Sequence, residues 1–201
     1  MLTYLIAAFS GPAASFMYAL LAVLAFAIAV VIERTVVLAR YRCDAAALLA
    51  KVEPAAREGR DVQLGDTPLE EVVGAGLAFR DPELAWDAMA AAAVDAELRI
   101  RRRIAYLSTV ASVATMVGLF GTVYGLILAF GALGDVAAAE RAARLSEGSS
   151  TAMATTAFGL LVAIPALAAH AVFESIAREM LGQIERAAGR VALALKAARR
   201  A

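Results

Sequence analysis

The sequence predicts an all-α integral membrane protein with three transmembrane helices, the second and third extended into a cytoplasmic helical bundle. Three observations lead there. Hydrophobic residues make up 62% of the 201 positions and the mean hydropathy is +0.72, more than the core of a soluble domain of this length requires. The runs Ala13 to Ile32, Ile104 to Leu133 and Thr151 to Phe173 reach the roughly 20 apolar residues that a crossing helix needs. Charges gather between and after these runs, and Lys and Arg concentrate on cytoplasmic segments near span ends.

Residues 1–12 contain no Lys or Arg and are expected on the outside. The first crossing helix is placed at 13–39. It lacks a basic n-region and a following small-residue cleavage site, so it is read as a retained span rather than a removed signal peptide. Glu33 and Arg34 lie at its inner end, where they can reach the interface or pair with neighbours.

The connection 40–103 holds ten basic and twelve acidic residues, with "RIRRR" (Arg99 to Arg103) directly before the second span. It is therefore placed in the cytoplasm. Its mixed sign argues against nucleic-acid binding. An Ala-rich helix is expected from Cys43 to Arg57, a break at "EGRDVQLGDTP", and a short helix from Leu69 to Phe79. Asp81 and Pro82 then suit the cap and first turn of a new helix. No proline follows before Leu133 and no glycine before Gly118. One unbroken helix of about 75 Å, from Pro82 through the second span (104–133), is the expectation.

The connection 134–150 has only Arg141 and Arg144 against Asp135, Glu140 and Glu147, which places it outside. The third span, 151–173, is expected to continue as a helix into the cytoplasmic tail 174–201, where six more basic residues lie and Gly182 and Gly189 weaken the helix.

Within the spans the inventory excludes enzyme chemistry. There are no paired aspartates, no Ser with a base and no HExxH zinc motif. Cys43 is the only cysteine and His170 the only histidine, so no disulfide or metal site is expected, and no cofactor. Cys43 reads as a filler residue and His170 as an interfacial or packed imidazole.

What the spans do carry is hydroxyls and small residues. At about 100° per residue, Ser108, Ser112, Thr115 and Thr122 fall within an arc of roughly 80°. Thr151 and Thr155 share a face of the third span, with Thr156 about 100° away. Such stripes suit a polar lining or an interhelical contact, against the alternative that each hydroxyl bonds its own helix four residues back. Gly118, Gly121 and Gly125, with Gly159 on the third span, allow close helix approach. Pro165 removes a backbone hydrogen bond and is expected to kink the third span. A hydroxyl-lined path cannot itself bind and release a proton strongly, so any ion pathway needs a carboxylate from another chain.

Two stretches carry a resemblance. "GLFGTVYG" (Gly118 to Gly125) and "TAFGLLVAIPA" (Thr156 to Ala166) are similar to the signature spans of the MotA/TolQ/ExbB proton-channel family, and "IERTVVLAR" and the layout of spans resemble it too. The resemblance implies a homopentamer in a bacterial inner membrane with a periplasmic N-terminus and a cytoplasmic C-terminus. Its second and third spans would line a pore around a dimeric single-span partner of the ExbD/TolR/MotB kind, which supplies the aspartate and uses the proton motive force for work across the envelope. Membrane lipid is the other expected contact. Thr122 and Thr156 match the family's two pore threonines and Pro165 the proline of AIPA; Thr155, Thr151, Thr115 and Ser112 complete the expected ion path. Thr151 stands where many relatives have glutamate, Thr115 in the position of a common proline, and His170 and Ala171 where relatives often read tyrosine and asparagine. The alternative reading is a non-conducting membrane scaffold.

Overall fold

The computed structural model describes residue 9 and residues 14–58, 60–131 and 138–200, and all the regular structure in them is α-helical. The helices are α1 (Ala14–Arg40), α2 (Ala45–Glu58), α3 (Pro68–Leu77), α4 (Pro82–Arg101), α5 (Ile104–Gly131) and α6 (Ala138–Arg200). Three of the helical stretches are long and apolar enough to cross a membrane. Most of the N-terminal segment 1–12, and residues 132–137 of the connection between the second and third spans, lie outside the described residues, as does the side chain of Thr151.

The chain divides into two compact units. The first comprises the residues up to Ile32 and Arg103–Ala171; the second comprises Glu33–Arg102 and Val172–Ala201.

In the first unit α1, α5 and the first half of α6 pack around Met17, Leu20, Ala27, Val110, Ala114, Phe158 and Val162. The buried positions of α5 recur every three or four residues, and their side chains shrink along the helix. Ile104 and Leu107 give way to Ala111 and Ala114, and these to Gly118, Gly121 and Gly125. A seam with this seven-residue repeat keeps one face toward its neighbours, and the taper lets backbones converge toward the Gly125 end. On another side of the unit, Phe16 of α1 meets Phe120 and Tyr124 of α5, ring centroids 5.5 and 5.4 Å apart, within the range of favourable aromatic pairing.

In the second unit the buried side chains include Leu38, Leu48, Val52, Val72, Met89, Ile100, Ile184 and Val191, and no glycine seam like that of α5 joins its helices among the described residues. Helix α3 opens with a capping box, in which the Thr67 hydroxyl accepts from the Glu70 amide and the Glu70 carboxylate accepts from the Thr67 amide at 3.2 Å. Gly76 lets α3 lie against Met89 of α4, since a Cβ there would fall 2.6 Å from the Met89 side chain. As expected, Asp81 caps α4, accepting from the Glu83 amide at 2.9 Å, with Pro82 in the first turn.

Two expectations are corrected. The helix from Pro82 does not run unbroken into the second span: it ends at Arg101, and Arg103 has φ 63° before α5 begins. The carbonyls freed by the break find a partner in a distant part of the chain. Arg34, 2% exposed, points its guanidinium at the carbonyls of Arg99 and Ile100, at 3.5 and 3.4 Å. A cation there satisfies carbonyls that have no intrahelical partner at a helix C-terminus. Secondly, α6 already begins at Ala138, so most of the connection expected at 134–150 is helix. The stretch is rich in alanine, with no proline to stop it. The extension of the third span past Phe173 is present as expected, and α6 is 63 residues long with Pro165 inside it.

The candidate site, a threonine cluster where two span helices converge

The glycine end of the α5 taper meets α6 in backbone contact. A Cβ on Gly118 would lie 3.0 Å from the Thr155 carbonyl oxygen and 3.2 Å from the Gly159 Cα. A Cβ on Gly159 would lie 2.7 Å from the Ala114 carbonyl oxygen. Gly121 faces the Thr155 side chain and Gly125 faces Ala152, with a Cβ at 2.8 and 2.9 Å from their nearest atoms. No larger residue fits at these positions without moving backbone.

This approach brings three hydroxyls and two carbonyls together. The Thr156 hydroxyl donates to the Gly118 carbonyl at 3.1 Å, and that of Thr155 to the carbonyl of Ala152 at 2.7 Å, with Gly118 O 3.2 Å away. The Thr122 hydroxyl lies 3.1 Å from the Ala152 carbonyl and 3.3 Å from that of Gly118, and is in close contact with the Thr156 hydroxyl. Each hydroxyl has one proton and two lone pairs. Backbone carbonyls only accept, so they take protons from the hydroxyls; in the contact between Thr122 and Thr156 one hydroxyl donates to the other, either serving as donor, and oxygen lone pairs of the pair remain for another group. Rotation of either hydroxyl turns it into a donor. The half-buried pair can therefore serve a protonated carboxyl, a carboxylate or a cation.

The expected site residues separate into groups. Thr122 and Thr156 share the cluster. Thr155 belongs to it but is 0% exposed, and its hydroxyl is bonded inside the contact between α5 and α6. Ser112 and Thr115 lie on the exposed side of α5 and bond back to Ser108 O and Ala111 O at 3.1 and 2.9 Å. They are not joined to the cluster. Pro165 sits within α6 without ending it, and as proline it gives no amide hydrogen to the Leu161 carbonyl. Residue-by-residue reading missed two features. One was the Ala152 carbonyl as an acceptor, legible only from the three-residue offset to Thr155. The other was the partner of His170, the interfacial or packed imidazole of the sequence reading, whose Nδ1 is 3.1 Å from the Ile104 carbonyl.

Among the described residues no three His, Cys, Asp or Glu side chains come together to hold a metal. The acids with lowered values, Glu70 and Glu71, belong to the second unit. The Thr67 hydrogen bond holds the Glu70 carboxyl below its usual value. Hydrogen bonds from the Arg99 guanidinium, one at 3.0 Å, do the same for Glu71.

Three helices long and apolar enough to span a bilayer, two of them joined by a glycine seam and hydroxyls, define a multi-pass membrane protein. The sequence pattern of the MotA/TolQ/ExbB proton channel family matches residues 65–186, which include α5 and the threonine cluster. The chain belongs to that family, one of channels and transport proteins and not of enzymes. The Tol-Pal system protein TolQ of Haemophilus influenzae is 42% identical over 71 residues, covering 35% of this chain and 31% of that protein. TolQ of Pseudomonas aeruginosa is 36% identical over 87 residues, 43% of this chain and 37% of the relative. A putative biopolymer transport protein, ExbB-like 3 of Synechocystis sp., is 30% identical over 160 residues, 78% of this chain and 72% of the relative. The chain thus matches well under two thirds of the length of the two TolQ proteins.

Proposed function

We propose that this protein is the channel-forming subunit of a proton-driven motor in a bacterial inner membrane. It works as a homopentamer with its N-terminus in the periplasm and its C-terminus in the cytoplasm. A single-span partner of the ExbD/TolR/MotB kind places an aspartate beside Thr122 and Thr156. The proton arrives from outside, neutralises that carboxylate and leaves toward the cytoplasm, and the cycle drives the pentamer around its partner. Moving one charge down the potential makes available about 2.3 kcal/mol per 100 mV.

One observation carries this reading: Thr122 and Thr156 form a hydroxyl pair with free lone pairs, set in a backbone seam, in spans that contain no carboxylate of their own. Acting alone the pair binds no proton; next to a carboxylate it stabilises either protonation state. Thr122→Ala and Thr156→Ala are each expected to leave assembly intact and to reduce partner-dependent proton uptake in liposomes by about tenfold or more. Normal uptake in both variants at normal expression would remove the pair from the ion path. The buried bonding of Thr155 favours a second reading, a non-conducting scaffold, for which the wild-type complex shows no proton uptake at all.

A further inference from the structure

His170 is the one side chain in the span regions that combines a titratable ring with a defined hydrogen bond. No Asp, Glu, Lys or Arg occurs from Ala14 to Ile32, Ile104 to Gly131 or Ala152 to Ala171. The ring is half-buried, and its Nδ1 lies 3.1 Å from the carbonyl oxygen of Ile104, in the first turn of α5. A carbonyl accepts and never donates, so Nδ1 carries the hydrogen. In the neutral ring Nε2 is then the bare, basic nitrogen. The bond to α5 thus fixes both the tautomer and the direction in which the ring can take up a proton.

Its position on α6 relates it to the threonine pair. Fourteen residues separate Thr156 from His170, which is about 21 Å along a helix and places the two within about 40° of one another around it. Leu160 and Leu167, both exposed, occupy the intervening stretch. That wall has no group to hold a proton between the hydroxyls and the imidazole.

We infer that His170 is a proton relay at the inner end of the ion path, taking each proton on Nε2 and passing it to cytoplasmic water. This rests on the proposed path past Thr122 and Thr156. The proton adds to the Nε2 lone pair to give the imidazolium, the Nδ1 hydrogen stays on the Ile104 carbonyl, and loss of the same proton from Nε2 restores the neutral ring. Imidazoles change charge between pH 5 and 8, where a relay between membrane and cytoplasm must work. The charged and titratable residues flanking the bonded carbonyl are Arg103 and Tyr106 on either side of Ile104, and from α1 the apolar Phe26 faces Tyr106, ring centroids 6.4 Å apart.

The test uses the complex purified from its native membrane with its co-purifying chains, placed in liposomes. Proton flux at fixed potential is measured while the pH on the cytoplasmic face is stepped from 5 to 8. His170→Gln is expected to lower the flux on the order of tenfold and flatten its pH profile. Added imidazole on the cytoplasmic side is expected to restore flux in His170→Ala. Nitrogen NMR of labelled histidine in the wild-type protein should show hydrogen on Nδ1 alone in the neutral ring and on both nitrogens once the ring has taken up a proton. Wild-type flux and pH profile in His170→Gln overturn the relay alone. So does a lowered flux with an unchanged profile and no imidazole rescue, which would make the ring only a tether to α5. A ring that keeps one charge state throughout overturns it independently of flux. A wild-type complex that carries no protons overturns the ion path and the relay with it.

Discussion

The two units of this chain are held together by different physics. In the span unit α5 and α6 meet through Gly118, Gly121, Gly125 and Gly159, with hydroxyls bonded to backbone carbonyls around them. In the second unit large side chains such as Met89, Val72 and Ile184 are buried, and ion pairs tie the helices, among them Arg99 to Glu71 and Arg101 to Glu174. The contrast follows from the solvent. Lipid is as apolar as leucine, so burying leucine gains little and close van der Waals contact with hydrogen bonding must join the helices. Water expels apolar area at roughly 25 cal/mol per Å², so the second unit profits from bulk. The same residue change should therefore have opposite consequences in the two places.

The strongest break of that contrast is a large residue in the seam. Gly159→Leu sets a side chain against the Ala114 carbonyl oxygen, where even its Cβ would be 2.7 Å away. The expected loss is about 3 kcal/mol, read as a fall in the thermal midpoint in mild detergent. A midpoint equal to wild type would mean that the helices separate freely there. The converse change, removal of bulk from the second unit by Met89→Ala, empties a site that is 0% exposed. It should cost about 2–5 kcal/mol in the same assay while leaving the Thr122 and Thr156 chemistry in place.

A glycine outside the seam sharpens the comparison. Nothing lies within 4 Å of a Cβ at Gly189, in the part of α6 that belongs to the second unit. Gly189→Ala should stabilise by up to about 1 kcal/mol through helix propensity, and a destabilised variant would show that this glycine too serves a close contact.

The smallest effect is electrostatic and confined to the second unit. The carboxyls of Glu70 and Glu71 titrate below their usual range because a Thr67 hydrogen bond and the Arg99 guanidinium favour their charged forms. Depressed folded values add stability that is fully present above the unfolded carboxylate value of about 4.3, and it is lost as pH falls through the folded values. Thermal midpoints should therefore decline below about pH 4.3, and Glu71→Gln should make that decline shallower. A decline of the same steepness in Glu71→Gln would assign the acid sensitivity to other groups.

Much of this was legible along the chain because it depends on local chemistry. Apolar run length marks the spans, Asp81 and Pro82 announce the start of α4, and Gly118, Gly121 and Gly125 are small whichever helix they meet. The taper from Ile104 to Gly125 was equally present in the sequence, as a seven-residue repeat of decreasing size, but single-motif reading passes over it. The spacing of Thr151, Thr155 and Thr156 gives their relative angles on a helix. It does not say which of them turns toward α5.

By itself, then, the sequence determined the class of protein, the helical spans, the family motifs and the lack of a carboxylate in the membrane, because these follow from residue type, run length and short spacing. Only the tertiary structure decided that α4 ends at Arg101, that Thr155 is buried while Thr122 and Thr156 pair, and that His170 has its tautomer set by Ile104. Each depends on groups dozens of residues apart in the chain: Arg34 on the carbonyls of Arg99 and Ile100, Gly118 against Gly159, and α6 against the start of α5. Residue periodicity constrains the angle between side chains on one helix, whereas the partner each side chain finds is set by how whole helices pack.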